Sequence, residues 1–209
     1  ALITVLSLAL LLPLASQAAC VLVRAKTKLS GFIFTVFIAA MVIPFQVLML
    51  PLVSWFRTLG DAIGIPLLRS YAGIILAYLG FGVPLSIFIY HGFIKSIPVE
   101  LEEAAQIDGC TRFGVFYKII FPNLTSIHMT VLVLNGIWIW NDYLLPLLLL
   151  GKGKAIMTIP LAVSNFAGAY VKQWDLIMTA ILIAMLPVIV VFLIAQKHIV
   201  KGMVAGAIK

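Results

Sequence analysis

The sequence predicts an all-α polytopic membrane helix bundle, a single domain over residues 1–209. Three observations predict it. The chain is 64% hydrophobic and 10% charged, whereas soluble domains are roughly 45–50% apolar and about 25% charged. Its apolar residues gather into five charge-free runs, each about the 20 residues that a spanning helix needs. None of these runs keeps the alternation of a strand, and an open sheet cannot cross lipid with unsatisfied backbone groups. The composition excludes an ordinary soluble enzyme, a disordered chain and a nucleic-acid-binding domain. The net charge of +7 therefore reads as membrane topology.

The first run, Ala1–Val23, ends at Arg24. Its start lacks a positive segment, and Gln17 is a poor fit three residues before Cys20 in LASQAAC, so a span is favoured over a cleaved leader. The second, Leu29–Phe56, lies between Lys28 and Arg57. Within it Gln46 reads as a buried amide between Pro44 and Pro51, suited either to a solute path or to an interhelical hydrogen bond. The third is Ser70–Ile94. The fourth is Ile119–Asn141, whose apolar character Tyr143–Gly151 continues, and the fifth is Leu176–Gln196. Prolines 13, 44, 84, 146 and 187 fall in or beside these runs. Proline breaks helices in water, but in a bundle neighbouring helices satisfy the freed carbonyls, so the spans are kept.

Lys and Arg in the loops set the orientation. Segments 24–28, 95–118 and the tail from 197 carry nine, and the opposite loops carry five. The first set is therefore placed in the cytoplasm. Cys20 and Cys110 then lie near the reducing side, as free thiols. Five spans with the first running inwards fit a chain in which one more span precedes Ala1.

Residues 95–122 form the one long polar loop, KSIPVELEEAAQIDGCTRFGVFYKIIFP, with four of the seven acids. Pro98 fits a first helical turn, and Glu100, Glu102 and Glu103 complement the positive end of the helix dipole. Ala104 and Ala105 favour the helix, and Gly109 permits a turn. A second helical stretch places Phe113, Phe116, Ile119 and Ile120 on one stripe, with Arg112 and Lys118 on other faces. Pro122 marks its end or the entry to the next span. The segment thus reads as helix, glycine turn, helix. Composition alone leaves two roles open: docking on another protein, or lying on lipid headgroups.

Glu103-Ala104-Ala105, Gly109 after three more residues, and Ile119 to Pro122 resemble the EAA loop of permease subunits of ABC importers. Phe121 stands where that pattern usually has leucine. MVIPFQVLMLPL (41–52), SIPVELEEAAQIDG (96–109), WIWNDYLLPLLLL (138–150) and KGMVAGAIK (201–209) are similar to segments of the carbohydrate-uptake branch. The resemblance covers essentially the whole chain. It implies the type I ABC importer permease fold, with six spans of which the first is missing here. It implies coupling-loop roles for Glu103, Ala104, Ala105, Asp108, Gly109 and Pro122. Its partners would be a second permease subunit, two cytoplasmic ATPases and an external solute-binding protein, in the inner or plasma membrane of a prokaryote. ATP and Mg would be held by the ATPases, because this chain has no G-x-x-x-x-G-K-[ST] loop and Gly151-Lys152-Gly153-Lys154 is too short to be one. The implied activity is ATP-driven sugar import, with no catalytic residue and no metal in this chain.

The remaining polar residues have plainer alternatives. Asp142 sits among Trp138, Trp140, Asn141 and Tyr143. An acid inside a membrane is a functional candidate, but aromatic neighbours also mark an interface. Trp138, Trp140 and Asn141, with Gln46, make a possible substrate path, since aromatic faces and amides suit sugar rings. His91, His128 and His198 lack metal-ligand spacing and read as structural or interfacial. Gly202 and Gly206 lie beyond the last run, unlike a helix-dimer motif. The outer loop 151–173, with Asn165, Phe166 and Tyr170, is either a contact for a binding protein or an inert connector. The rival functions are import of glycerol phosphate or an amino acid, an ion-coupled carrier and a membrane enzyme. A carrier calls for paired acids within the spans and internal repeats. An enzyme calls for acids, His or Cys clustered at one membrane face. The sequence displays neither.

Overall fold

In the computed structural model, Ser70 opens the helix on which much of the chain packs. Its backbone is extended and its side chain accepts a hydrogen bond from the Gly73 amide, an N-cap. A side chain at Gly73 is excluded, because a Cβ there would lie 1.8 Å from the Leu67 carbonyl oxygen. The structure describes residues 1–151, 155–166 and 173–207, with the side chains at 195 and 197–207 left aside. Among the described residues every regular element is helical: α1 (Leu2–Ala25), α2 (Lys28–Val42), α3 (Phe45–Ile63), α4 (Tyr71–Ile94), α5 (Glu100–Ile107), α6 (Arg112–Val115), a π-helical turn (Phe116–Ile120), α7 (Phe121–Asn123), α8 (Thr125–Asn141), α9 (Leu144–Leu150), α10 (Ile159–Val163), a 3-10 turn (Ser164–Phe166) and α11 (Trp174–Ala207).

The closest pairing is α1 on α4. On α1 the buried positions Ile3, Ser7, Leu11, Ala15, Ala19 and Val23 recur every fourth residue, the ridge along which helices interlock. Lipid is as apolar as leucine, so burial alone does not drive helices together in a membrane; close contact between small residues and hydrogen bonds must do so. Gly82 is such a residue. A Cβ there would meet Leu11 at 3.1 Å and the Asn135 side-chain oxygen at 3.0 Å, so α1, α4 and α8 converge on it. Asn135, 1% exposed, donates to the Ser86 hydroxyl at 3.1 Å and to the Val131 carbonyl at 3.0 Å. Phe34 of α2 stacks on His91 of α4 with ring centroids 3.6 Å apart.

Three helices have the length and apolarity to cross a membrane: α1, α4 and Trp174–Ile194 of α11. Two bent pairs bring the total to five when each is taken as one span. The second predicted run is one of them, and here the tolerance expected of Pro44 fails. α2 and α3 meet at 105°, with Ile43 and Pro44 both extended. Proline disfavours the helical state of the residue before it, and Ile43 takes the extended state here. Prolines 13, 51, 84 and 187 do lie inside helices. Gln46, expected as a buried amide, is exposed in the first turn of α3 because the chain turns there.

The second bent pair joins Arg112–Asn123 to α8 at 75° about Leu124, which is fully buried. After α8 the chain is extended at Asp142, and Leu144–Leu150 forms a separate helix against α3 and α4. Helix α11 starts at Trp174 and runs on through Gly202 and Gly206. Of its spanning part, Trp174–Ile194, only Ile177 is buried within the chain. A helix apolar all round belongs in lipid or against another subunit.

Two apolar clusters fill the bundle. One joins Ile3, Ile74, Tyr78, Ile139, Leu145 and Leu161 at the end remote from the polar loop. The other joins Ala15, Ile87, Tyr90 and Ile94 to Ala105, Val115, Phe116 and Ile120 of the loop itself. The loop is thus packed into the same core as the spans. Gly82→Val is expected to destabilise the bundle by about 1–3 kcal/mol through overpacking. Gly80→Val, where nothing lies within 4 Å, should leave it unchanged; thermal loss of the monodisperse peak in detergent measures both.

Candidate functional site

The polar loop begins with a tight turn after α4, in which the Ser96 and Ile97 amides donate to the Phe93 and Ile94 carbonyls. Pro98 stands just before α5, where the chain has yet to donate helical hydrogen bonds. The amides of Glu102 and Glu103 both donate to the Val99 carbonyl. Glu100, Glu102 and Glu103 fill the first turn, where negative charge opposes the helix dipole. The exit is equally defined. Gly109 has φ +84° and its amide donates to the Gln106 carbonyl, while that of Cys110 donates to Ala105. A left-handed residue after the last helical turn is the usual glycine stop. Thr111 then caps α6 by accepting from the Gly114 amide at 3.2 Å.

Helix α5 has two unlike faces. Glu102 and Ala105 turn inwards, 8% and 7% exposed. Glu103, Ala104, Ile107 and Asp108 are open, with Ile107 86% exposed. The two alanines therefore divide: Ala104 is on the open side and Ala105 belongs to the core. Phe113, expected on the apolar stripe, is 73% exposed while Phe116 and Ile120 are buried. A regular helical spacing does not carry through: Phe113 lies in the first turn of α6, and the π turn follows from Phe116. Pro122 is exposed and occupies the first turn of α7.

The inner face is held by a residue that charge counting had assigned to a loop. Arg24 lies in the last turn of α1. Its Nε and Nη2 donate to Glu102 Oε1 at 2.7 and 2.6 Å, and Nη2 also donates to the Ile97 carbonyl at 2.9 Å. Both charged side chains are largely buried, at 19% and 11% exposed. One helical face further along α1, Gln17 donates its amide to the Tyr117 hydroxyl of the π turn. Sequence reasoning missed these contacts. The available signal was a lone Arg24 closing an apolar run, opposite an acid in a helix otherwise suited to solvent.

Of the four expected substrate-path residues, Trp140 and Asn141 line one cavity of about 250 Å³ and the other two lie apart from it. Trp138 packs edge-on to Tyr78, ring centroids 5.5 Å apart, on a groove of about 660 Å³ that also exposes Trp55, Phe81 and Leu134. Trp140 turns to α11, where its Nε1 donates to the Ala184 carbonyl at 3.1 Å. Asn141 donates to Ile137 of its own helix. Gln46 is on neither wall. Asp142 accepts from the Tyr78 hydroxyl and from the Leu144 amide, each at 3.1 Å, so it ties α4 to the chain entering α9. His128 bonds the Tyr90 hydroxyl at 2.6 Å and the Phe121 carbonyl at 3.0 Å. With His91 stacked on Phe34, both histidines pack within the bundle. His198, Tyr170 and the Gly151–Lys154 motif beyond Gly151 lie outside the described residues or side chains; Asn165 and Phe166 end the 3-10 turn.

Residues 11–205 match the family described as binding-protein-dependent transport system inner membrane component. The chain is 44% identical over 207 residues to the probable starch degradation products transport system permease protein AmyC of Thermoanaerobacterium thermosulfurigenes, covering 99% of this chain and 73% of that protein. It is 36% identical to the multiple sugar-binding transport system permease protein MsmG of Streptococcus mutans, and 38% to the melibiose/raffinose/stachyose import permease protein MelC of Bacillus subtilis, each with 99% of this chain and 73% of the relative covered. Tyr78→Phe is expected to cost about 0.5–2 kcal/mol, as a single hydrogen bond between helices does, and Asp142→Ala more because the Leu144 amide also loses its acceptor. Unfolding in detergent, with membrane insertion intact, measures the difference.

Proposed function

Because the chain belongs to the family of binding-protein-dependent transport system inner membrane components, we propose that it is the permease subunit of an ABC importer and passes sugars through the membrane. The relatives above are named as a probable permease for starch degradation products, a multiple sugar-binding transport permease and a melibiose/raffinose/stachyose import permease, which supports a mono- or oligosaccharide as the solute. A binding protein on the outer side delivers it, and a second permease subunit completes the pathway. ATP and Mg²⁺ belong to two cytoplasmic ATPases. The loop 95–122 and the C-terminus face those ATPases in the cytoplasm.

One observation carries the mechanical part of this reading: α5 is pinned to the bundle by Glu102 and Ala105 while Glu103, Ala104, Ile107 and Asp108 stand open. The open face combines small, apolar and acidic groups. Ala104 permits close backbone approach, Ile107 supplies an apolar contact, and Glu103 and Asp108 suit a basic rim. The same face suits an anionic lipid surface poorly, because two of its groups are acids. With α5 seated in a groove of the ATPase, closure of the ATPase pair on ATP displaces α5. Its packed side passes the displacement to the core that Ala105 shares with Ile87, Tyr90 and Ile94.

Gly109 sets the exit from α5, and at φ +84° a side chain strains the backbone by about 1–3 kcal/mol. Gly109→Val and Glu103→Lys should insert normally, retain ATP hydrolysis in the assembled transporter and lose sugar uptake. Uptake and hydrolysis measured together in proteoliposomes test this, and normal uptake by both variants rejects the docking role.

A further inference from the structure

Helix α1 meets the loop along one stripe. Gln17, Cys20, Val21 and Arg24 recur at three- and four-residue spacing and so share a face. They line one side of a cleft of about 700 Å³ whose other side includes Glu102 and Phe116. Polar contacts close both ends of the stripe: Gln17 to Tyr117 in the π turn, and Arg24 to Glu102 in α5. The Arg24–Glu102 ion pair is the single one among the described residues.

Apart from the packing of Ala105 in the core, helix α5 is tied to the spans through two joints, the 95–99 turn and Gly109. Either joint lets the helix swing when its open face is pushed. Arg24 removes that freedom on the first side, because its guanidinium grips Glu102 and the Ile97 carbonyl at once. A planar fork can hold two acceptors in fixed geometry, which a lysine ammonium on its flexible stem does less well. Removing either partner leaves a largely buried charge alone, so the pair resists opening.

We propose that α1 is a strut for the coupling helix, with Arg24 and Glu102 as the positioning pair that makes α1 move with α5. The proposal rests on the coupling role given above for α5. The strut delivers displacement of α5 directly to the ridge that packs on α4, in addition to the covalent path through residues 95–99.

The test uses the complete transporter, with both ATPases, the second permease and the binding protein, in proteoliposomes. Sugar taken up per ATP hydrolysed is measured for Arg24→Gln, Glu102→Gln, Arg24→Lys and Glu103→Lys. For the two neutral variants the ratio should fall about ten-fold, within the range of ordinary coupling energies, while hydrolysis continues. Arg24→Lys, which keeps the charge, should recover part of the ratio. A merely structural role lowers uptake and hydrolysis together and leaves the ratio unchanged. An unchanged ratio in both neutral variants overturns the strut, as does an Arg24→Lys ratio no better than that of Arg24→Gln. Failure of both neutral variants to assemble also overturns it, since the pair then serves folding. Glu103→Lys separates the two ideas: if it uncouples while the pair variants do not, only the strut fails. If neither does, the coupling role of α5 fails with it.

Discussion

The contact between α1 and α4 is the one on which the rest of the structure depends. Neither helix gains from hiding apolar surface in a medium that is itself apolar. What holds them is fit: a ridge at every fourth residue of α1, and a glycine at 82 that admits Leu11 and the Asn135 amide to the same spot. α2 and α8 then lean on this pair, and α11 leans on α8. Helical backbone bonds are made within each span, as lipid requires, except where Pro13, Pro84 and Pro187 remove a donor. The larger exceptions are the bends, at Pro44, at the π turn and Leu124 before α8, and at the extended Asp142 after it.

The polar loop is not an appendage of this bundle. Its Ala105, Val115, Phe116 and Ile120 are part of the core that Ala15, Tyr90 and Ile94 begin. That continuity explains how a helix of eight residues, too short to be stable alone in water, is held in one position. It also explains why one of its faces is free for a partner. The buried side carries the stabilising contacts, so the open side has none to make within the chain. The proposed coupling role uses this division of labour.

Polar groups within the spans divide in the same way. Asn135, Tyr90, His128 and Asp142 each find partners on a neighbouring helix or turn. Unpaired, each would carry the full penalty of desolvation. These contacts fix where helices meet. Trp138 and Trp140, two residues apart, point to different neighbours because successive residues on a helix lie about 100° apart.

The sequence by itself determined the helical class, the approximate extent of the spans and the helix–glycine–helix form of the loop. These follow from local quantities: run length, charge, and a glycine where the chain must turn. The tertiary structure alone decided that the chain bends at Pro44 while Pro13, Pro51, Pro84 and Pro187 stay inside helices, because the ring is the same at each and only its surroundings differ. It alone decided that Glu102 faces inwards and Glu103 outwards, though both are acids in one turn. It alone paired Arg24 with Glu102, 78 positions apart, a match that periodicity cannot reveal. Local patterns report what a segment can become; which face is buried is set by what packs against it.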